Sequence, residues 1–147
     1  MTTSSLRASE RRAQPAPLLR VAVEVHPRSG GGRSLCVMTL TGDLDLMTAP
    51  QLHSATDLAL PAAGTAAASA SPAPDVVVDL AAVEFVDSAG LGALLSTLRR
   101  TTALGGRLAV VGAREQASRL LTMTGVDRVV SLHATLAEAV SARTATA

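Results

Sequence analysis

A short segment with one hydroxyl group is the part of this sequence best suited to chemistry. It reads Asp87-Ser88-Ala89-Gly90-Leu91-Gly92, and it joins an apolar segment to a run of leucines. A serine hydroxyl can accept a phosphate, attack as a nucleophile, or cap a helix. If Ser88 stands at a helix start, a phosphate on it would meet unpaired backbone N–H groups and the positive end of the helix dipole. Gly90 and Gly92 would keep the surrounding surface low.

Two other interpretations of the motif stay open at this point. Ser88 could be only the helix cap, with the glycines tightening the turn. It could also be a hydrolase nucleophile, although the chain has no Gly-x-Ser-x-Gly elbow and the spacing of its three histidines marks none as a base. Those histidines, His26, His53 and His133, have no further ligand at metal spacing. We therefore propose no metal site.

The elements that position Ser88 are the clearest in the sequence. Leucines at 91, 94, 95 and 98 recur at helical spacing, and Gly105-Gly106 supplies a stop signal, so we predict a helix from Ser88 to Leu104. This places Ser88 at or next to the N-cap. Before it, the β-branched run Val76 to Leu80 predicts a central strand that is buried on both faces.

The rest of the chain predicts an α/β fold, with a mixed sheet and helices packed mainly on one face. Thr48, with Pro50 just after it, predicts a helix start. We expect a disordered tail over 1–17, a domain over 18–141 with an inserted Ala- and Ser-rich loop over 61–74, and a tail over 142–147. The remaining predicted elements are strands at 19–25, 35–40, 107–111 and 129–132, and helices ending near Pro61, from Ala113 to Thr124 before Gly125, and from Thr135 to Ser141.

Composition excludes several classes of function. The chain has 147 residues, 48% of them hydrophobic, which suits one domain with a substantial core. A net charge of +1 gives no strong field for nucleic acid, and the chain has no tryptophan or tyrosine on which bases could stack. There is no lysine for a phosphate-binding loop or a Schiff base.

Cellular context follows from the cysteine count and from the apolar runs. Cys36 is the only cysteine, lies in an apolar run, and reads as a buried thiol in a reducing compartment. We find no signal-peptide pattern and no unbroken apolar run of membrane-spanning length. The expectation is a cytoplasmic protein that does not contact a membrane.

Several segments, in order, resemble the STAS family. They are Leu40-Thr41-Gly42-Asp43-Leu44-Asp45, Val76 to Leu80, Phe85-Val86 with the serine motif, Gly105-Gly106, and Leu121-Thr122-Met123-Thr124-Gly125-Val126. The resemblance covers about Leu19 to Val140. It implies a STAS-like mixed sheet and the function of an anti-sigma-factor antagonist, not an enzyme, in settings such as stress response or sporulation.

The resemblance also implies a site and partners. In such antagonists the serine after the motif aspartate, here Ser88, is phosphorylated by a partner that is both anti-sigma factor and ATP-dependent serine kinase, and a phosphatase resets it. Asp45 matches an acidic residue beside that serine, although it could instead cap the helix after Thr48. Asp87 could orient the hydroxyl, contact the partner, or only stabilise the helix start. The family often has a second hydroxyl at the next position, where this chain has Ala89.

The implied partner surface consists of Asp45, Asp87, Ser88, Ala89, Gly90, Leu91 and Gly92. Phosphorylation would break the complex, and the antagonist would need no cofactor because the kinase binds the ATP. The fold also serves as a scaffold that is not phosphorylated, and this alternative remains open.

Overall fold

The computed structural model describes residues 19–28, 30, 32–62 and 72–145. The tail predicted over 1–17 lies outside these residues, as does most of the loop predicted over 61–74. The predicted disorder of that tail and most of the predicted loop therefore stay predictions.

Five strands form one mixed sheet in the order β1-β2-β3-β4-β5. β1 runs antiparallel to β2, and every other neighbouring pair is parallel. The predicted mixed sheet is confirmed, with the Val76 to Leu80 run at its centre as part of β3. The strands are β1 Arg20–His26, β2 Leu35–Thr41, β3 Asp75–Ala82, β4 Leu108–Val111 and β5 Ser131–His133.

The central strand β3 carries apolar residues on both of its faces because both faces are covered. Val76, Val78 and Leu80 point into the main core, whereas Val77 points into a smaller core on the opposite face. All four are at most 3% exposed. This two-sided burial is the physical reason that Val76 to Val78 are consecutive apolar residues with no polar alternation.

Three of the four described α-helices pack on one face of the sheet, which confirms the predicted arrangement. The first two helices, α1 (Ala49–Ala59) and α2 (Ser88–Ala103), are linked there by a buried hydrogen bond of 2.9 Å between the hydroxyls of Thr56 and Thr97. No helix in the described ranges is long and apolar enough to cross a membrane. The helices are α1 Ala49–Ala59, α2 Ser88–Ala103, α3 Glu115–Met123 and α4 Leu136–Ala145.

The last strand begins two residues later than predicted. The sequence placed it from Val129, but the N–H groups of Val129 and Val130 both donate to the carbonyl of Val126, 3.0 Å away. This turn continues the 3₁₀ helix Val126–Arg128. Val130 is buried all the same, so its apolar side chain reaches the core from a turn. A β-branched pair alone does not distinguish these two cases.

The C-terminal helix α4 covers the opposite face and extends four residues past its predicted end at Ser141. Its last turn carries Arg143, whose Nε donates to Asp75 Oδ2 at 2.6 Å. Arg143 Nη2 also donates to the carbonyls of Arg33 and Ser34. These contacts hold the last turn against the start of β3, so the predicted C-terminal tail is helical up to Ala145.

Candidate functional site

Two loops lie side by side where β2 and β3 end. The loop from β2 to α1 and the turn from β3 to α2 are joined by a parallel bridge between Leu44 and Val86. The Leu44 N–H donates to the Phe85 carbonyl at 2.9 Å, and the Asp87 N–H donates to the Leu44 carbonyl at 3.1 Å. Sheet pairing therefore continues beyond the strands and fixes one loop against the other.

Gly90 makes this close approach possible. A Cβ at position 90 would lie 2.1 Å from the carbonyl oxygen of Leu44, so any side chain there would push α2 away from the β2 loop. Gly92 differs, because a Cβ there would meet nothing within 4 Å. Only the first glycine is required by packing, and the second leaves open space beside Ser88.

Asp87 caps α2 and also ties the two loops together. Its Oδ1 accepts from the Gly90 N–H at 2.8 Å, which satisfies one of the unpaired donors of the helix start. Its Oδ2 accepts from the Leu46 N–H at 3.1 Å, across the gap to the other loop. The structure therefore assigns the capping role to Asp87 and not to Ser88.

Ser88 is the first residue of α2, directly after that cap, and it is exposed. Within the described ranges its hydroxyl has no hydrogen-bond partner. The first turn of α2 contains no acidic residue, so the carboxylate of the N-cap Asp87 is the negative charge that faces the positive end of the helix dipole. The prediction that Ser88 stands at or next to the N-cap is confirmed.

Asp45 shapes the chain just before α1, which is close to the helix-capping role considered for it in the sequence analysis. Its Oδ1 accepts from the N–H groups of Met47 and Thr48, at 3.0 and 3.1 Å, and shapes the chain just before α1. In return the Thr48 hydroxyl accepts from the Asp45 N–H and donates to the Asp43 carbonyl. Thr48 occupies the N-cap position but makes no side-chain hydrogen bond to α1. Asp45 and Ser88 are both among the described residues, and no hydrogen bond joins them.

Three exposed apolar side chains on these loops were not identified from the sequence. Leu46 is 70% exposed, Met47 is 78% exposed, and Phe85, the only aromatic residue, is 45% exposed. We call these three residues the apolar rim. None of the three belongs to the apolar pattern of a helix or a strand. Large apolar residues at predicted loop positions were therefore the signal in the sequence that could have identified them. Exposed apolar groups of this kind mark contact surfaces when they cluster.

A glutamine on α3 also supports the site and was not identified from the sequence. Gln116 Nε2 donates to the Val86 carbonyl at 2.7 Å, and its Oε1 accepts from the Val86 N–H at 2.9 Å. This pair of bonds replaces the strand partner that Val86 lacks on that side. The spacing of apolar residues in α3 does not indicate this contact between Gln116 and Val86.

The seven residues of the implied partner surface differ in exposure. Ser88 is exposed, whereas Asp45, Asp87, Ala89 and Gly92 are half-buried. Gly90 and Leu91 are buried, so they can influence a partner only through the position of α2.

Known proteins of this fold provide a comparison for this geometry. A Thermotoga neapolitana protein assigned as an anti-sigma factor antagonist is 34% identical over 64 residues, which is 44% of this chain and 57% of that protein. The chain thus spans little more than half of that relative. The anti-sigma F factor antagonist of Paenibacillus polymyxa is 25% identical over 78% of this chain and 86% of its own length.

A solved structure of an anti-sigma factor antagonist from Mycobacterium paratuberculosis superposes with a TM-score of 0.62 at 29% identity. It covers 84% of this chain and 93% of its own. The family model for the STAS domain matches residues 21–139, which include all five strands except the first residue of β1. This chain belongs to the STAS domain family.

Proposed function

We propose that this protein is an anti-sigma-factor antagonist, which binds an anti-sigma factor through the surface around Ser88 and is released when that partner, acting as a kinase, phosphorylates Ser88. The observation that carries the proposal is the state of the Ser88 hydroxyl. It is exposed and unpaired among the described residues because Asp87 performs the capping. The names of the relatives support the kind of partner.

The apolar rim supplies the contact area that a hydroxyl alone would not. Leu46 and Met47 lie on one loop and Phe85 on the other, and the hydrogen bond from Leu46 to Asp87 places the first loop beside the serine turn. A partner that covers these side chains would remove water from around Ser88. Such a surface gains affinity from apolar burial and specificity from the polar groups in it.

A phosphate on Ser88 would break that complex for an electrostatic reason. It adds a charge of roughly −1.5 to −2 and three oxygens to an interface packed around a small hydroxyl. The carboxylate of Asp87, which already accepts two hydrogen bonds, adds like charge nearby. In the free protein the N–H groups of the α2 start that Asp87 does not occupy can bind the phosphate, and water screens its repulsion from Asp87, so we expect folding stability to be preserved.

In this proposal the protein is a ligand and a phosphate acceptor. The kinase provides the ATP, a phosphatase resets Ser88, and the antagonist needs no cofactor of its own. The hydrolase alternative is weaker, since no base among the described residues contacts the Ser88 hydroxyl. A nucleophilic serine needs such a contact to lose its proton.

The test is to incubate the purified chain with candidate anti-sigma kinases and ATP, and to measure intact mass and complex formation. We expect the wild type to gain one phosphate and to lose binding. Ser88→Ala should gain none and stay bound, and Ser88→Asp should bind weakly from the start. Ser54→Ala, which changes an exposed serine on α1, is the matched control and should behave as the wild type.

Two results would contradict the proposal. If phosphate is added equally to Ser88→Ala, the acceptor is another residue. If the partner binds equally well with and without ATP, and Ser88→Asp binds as tightly as the wild type, the protein is a scaffold and no switch operates at Ser88.

A further inference from the structure

The outer edge of β1 is an open strand edge. β1 stands at one end of the strand order, and within the described ranges no strand pairs with its outer side. Its seven residues, Arg20–His26, contain no proline, and their pairing with β2 runs without a bulge. The opposite edge is β5, which has only three residues. Proteins usually protect an edge as long as β1 by charge, proline, bulges or a covering segment.

The side chains along this edge are apolar on one face. Val21, Val23 and Val25 lie on the same face of β1, opposite core residues of β2, and the last two are 39% and 56% exposed. The other face carries Arg20, Ala22, Glu24 and His26, all exposed. An edge with free backbone groups and β-branched side chains favours addition of another strand.

The sequence of β1 is complementary to itself. If two copies pair antiparallel about Ala22, Arg20 of each copy stands opposite Glu24 of the other, and Val21 stands opposite Val23. Opposite charges at directly facing positions stabilise a strand pair, as do facing β-branched residues. A shift to pairing about Val23 would place Arg20 opposite His26 and would leave Glu24 facing Ala22. The charges therefore select one register.

We propose that this protein forms a two-fold symmetric dimer through antiparallel pairing of β1 with β1 of a second copy, in the register that sets Arg20 against Glu24. The sheet then continues through both copies, and the same patch is used on each, as a two-fold axis requires. Ser88 follows β3, two strands away from this edge, so the dimer displays two Ser88 sites. The proposal is independent of the function proposed for Ser88.

The test is sedimentation equilibrium of the full chain over a range of concentrations. We expect the wild type to reach twice the chain mass of 14.9 kDa. Arg20→Glu and Glu24→Arg should each weaken the dimer by about tenfold or more, because both symmetric pairs then carry like charges. An equimolar mixture of the two variants should restore the dimer, since each facing pair in the heterodimer is again of opposite charge.

The control is Arg128→Glu, which makes the same charge change on an exposed residue outside β1 and should leave the dimer intact. Circular dichroism would verify that each variant is folded. A wild type that stays monomeric at every concentration would overturn the proposal, and this is the result expected if residues 1–18 of the same chain occupy the edge. A dimer that both single variants retain, or that their mixture fails to restore, would also overturn it.

Discussion

At the scale of single residues, Asp87 caps α2 in place of Ser88. Ser88 therefore does not have to combine helix capping with the role proposed for its hydroxyl. The Asp87 carboxylate caps α2 through Gly90 and holds the neighbouring loop through Leu46. The Ser88 hydroxyl makes none of these bonds, so a change to it should have little effect on the free energy of unfolding. A residue that changes chemical state in use is best placed where the fold does not depend on it.

Gly90→Ala tests how closely the two loops must approach. The added methyl would overlap the Leu44 carbonyl, and the resulting displacement should lower the free energy of unfolding by about 1–3 kcal/mol. Urea denaturation would measure the loss. Gly92→Ala is the matched control, because its methyl meets open space and alanine favours a helix. Equal stability of the Gly90→Ala and Gly92→Ala variants would show that the loops yield without cost.

At the scale of elements, α4 is attached to the sheet in two ways. Its Ala139 packs with Val77 and Val111 in the smaller core. Its Arg143 forms an ion pair with Asp75, in which the side chains are 16% and 12% exposed. Asp75 also accepts from the Arg107 N–H at 2.8 Å through its other oxygen. The ion pair thus connects the last helix to the starts of β3 and β4.

Removing this ion pair should loosen α4 before the rest of the fold. Arg143→Ala leaves the Asp75 carboxylate buried with one partner fewer, so we expect a loss of about 2–3 kcal/mol. Hydrogen exchange should show the largest loss of protection in α4. Arg119→Ala removes an exposed ion pair on α3 and should cost far less. If both variants lose equal stability, α4 is held by its apolar contacts alone.

At the scale of the whole molecule, the main core joins the sheet to three helices, and Cys36 lies inside it with no exposed surface. Burial raises the pKa of the Cys36 thiol above its ordinary value of 9.0, because the thiolate is poorly solvated there. The thiol should therefore be neutral and unreactive in the folded protein. The rate at which this thiol reacts with a reagent therefore measures how often the core opens.

Labelling of Cys36 by a thiol reagent should follow the unfolding of the domain, with rapid reaction in urea and slow reaction in buffer. The unfolded thiol ionises at lower pH than the folded one, so stability should fall as pH rises above about 9. Cys36→Ala should lack this part of the pH dependence. Fast labelling of the native wild type at neutral pH would contradict the burial of the thiol.

Local patterns were enough to predict several parts of the molecule. The leucine spacing after Ser88 predicted α2, the run of valines predicted the central strand, and the position of Ser88 beside the N-cap followed from both. These signals are local, because a helix or a buried strand repeats its apolar residues over a few positions. The boundaries were less accurate where a turn and a strand share β-branched residues, as at Val129, or where a distant partner extends a helix, as at Arg143.

Only the tertiary structure determined which residues make up the site. Asp87 meets Leu46 across 41 residues, Gln116 meets Val86 across 30, and Arg143 meets Asp75 across 68. The apolar rim exists because two separate loops meet at the ends of β2 and β3. The sequence by itself determined the elements and the candidate serine, since these depend on neighbouring residues. The fold decided that Asp87 also holds the loop of Leu46 and that Gly90 must lack a side chain, because those outcomes depend on contacts between segments far apart in the chain. The choice of Asp87 over Ser88 as the cap of α2 is local, but the sequence pattern left it open.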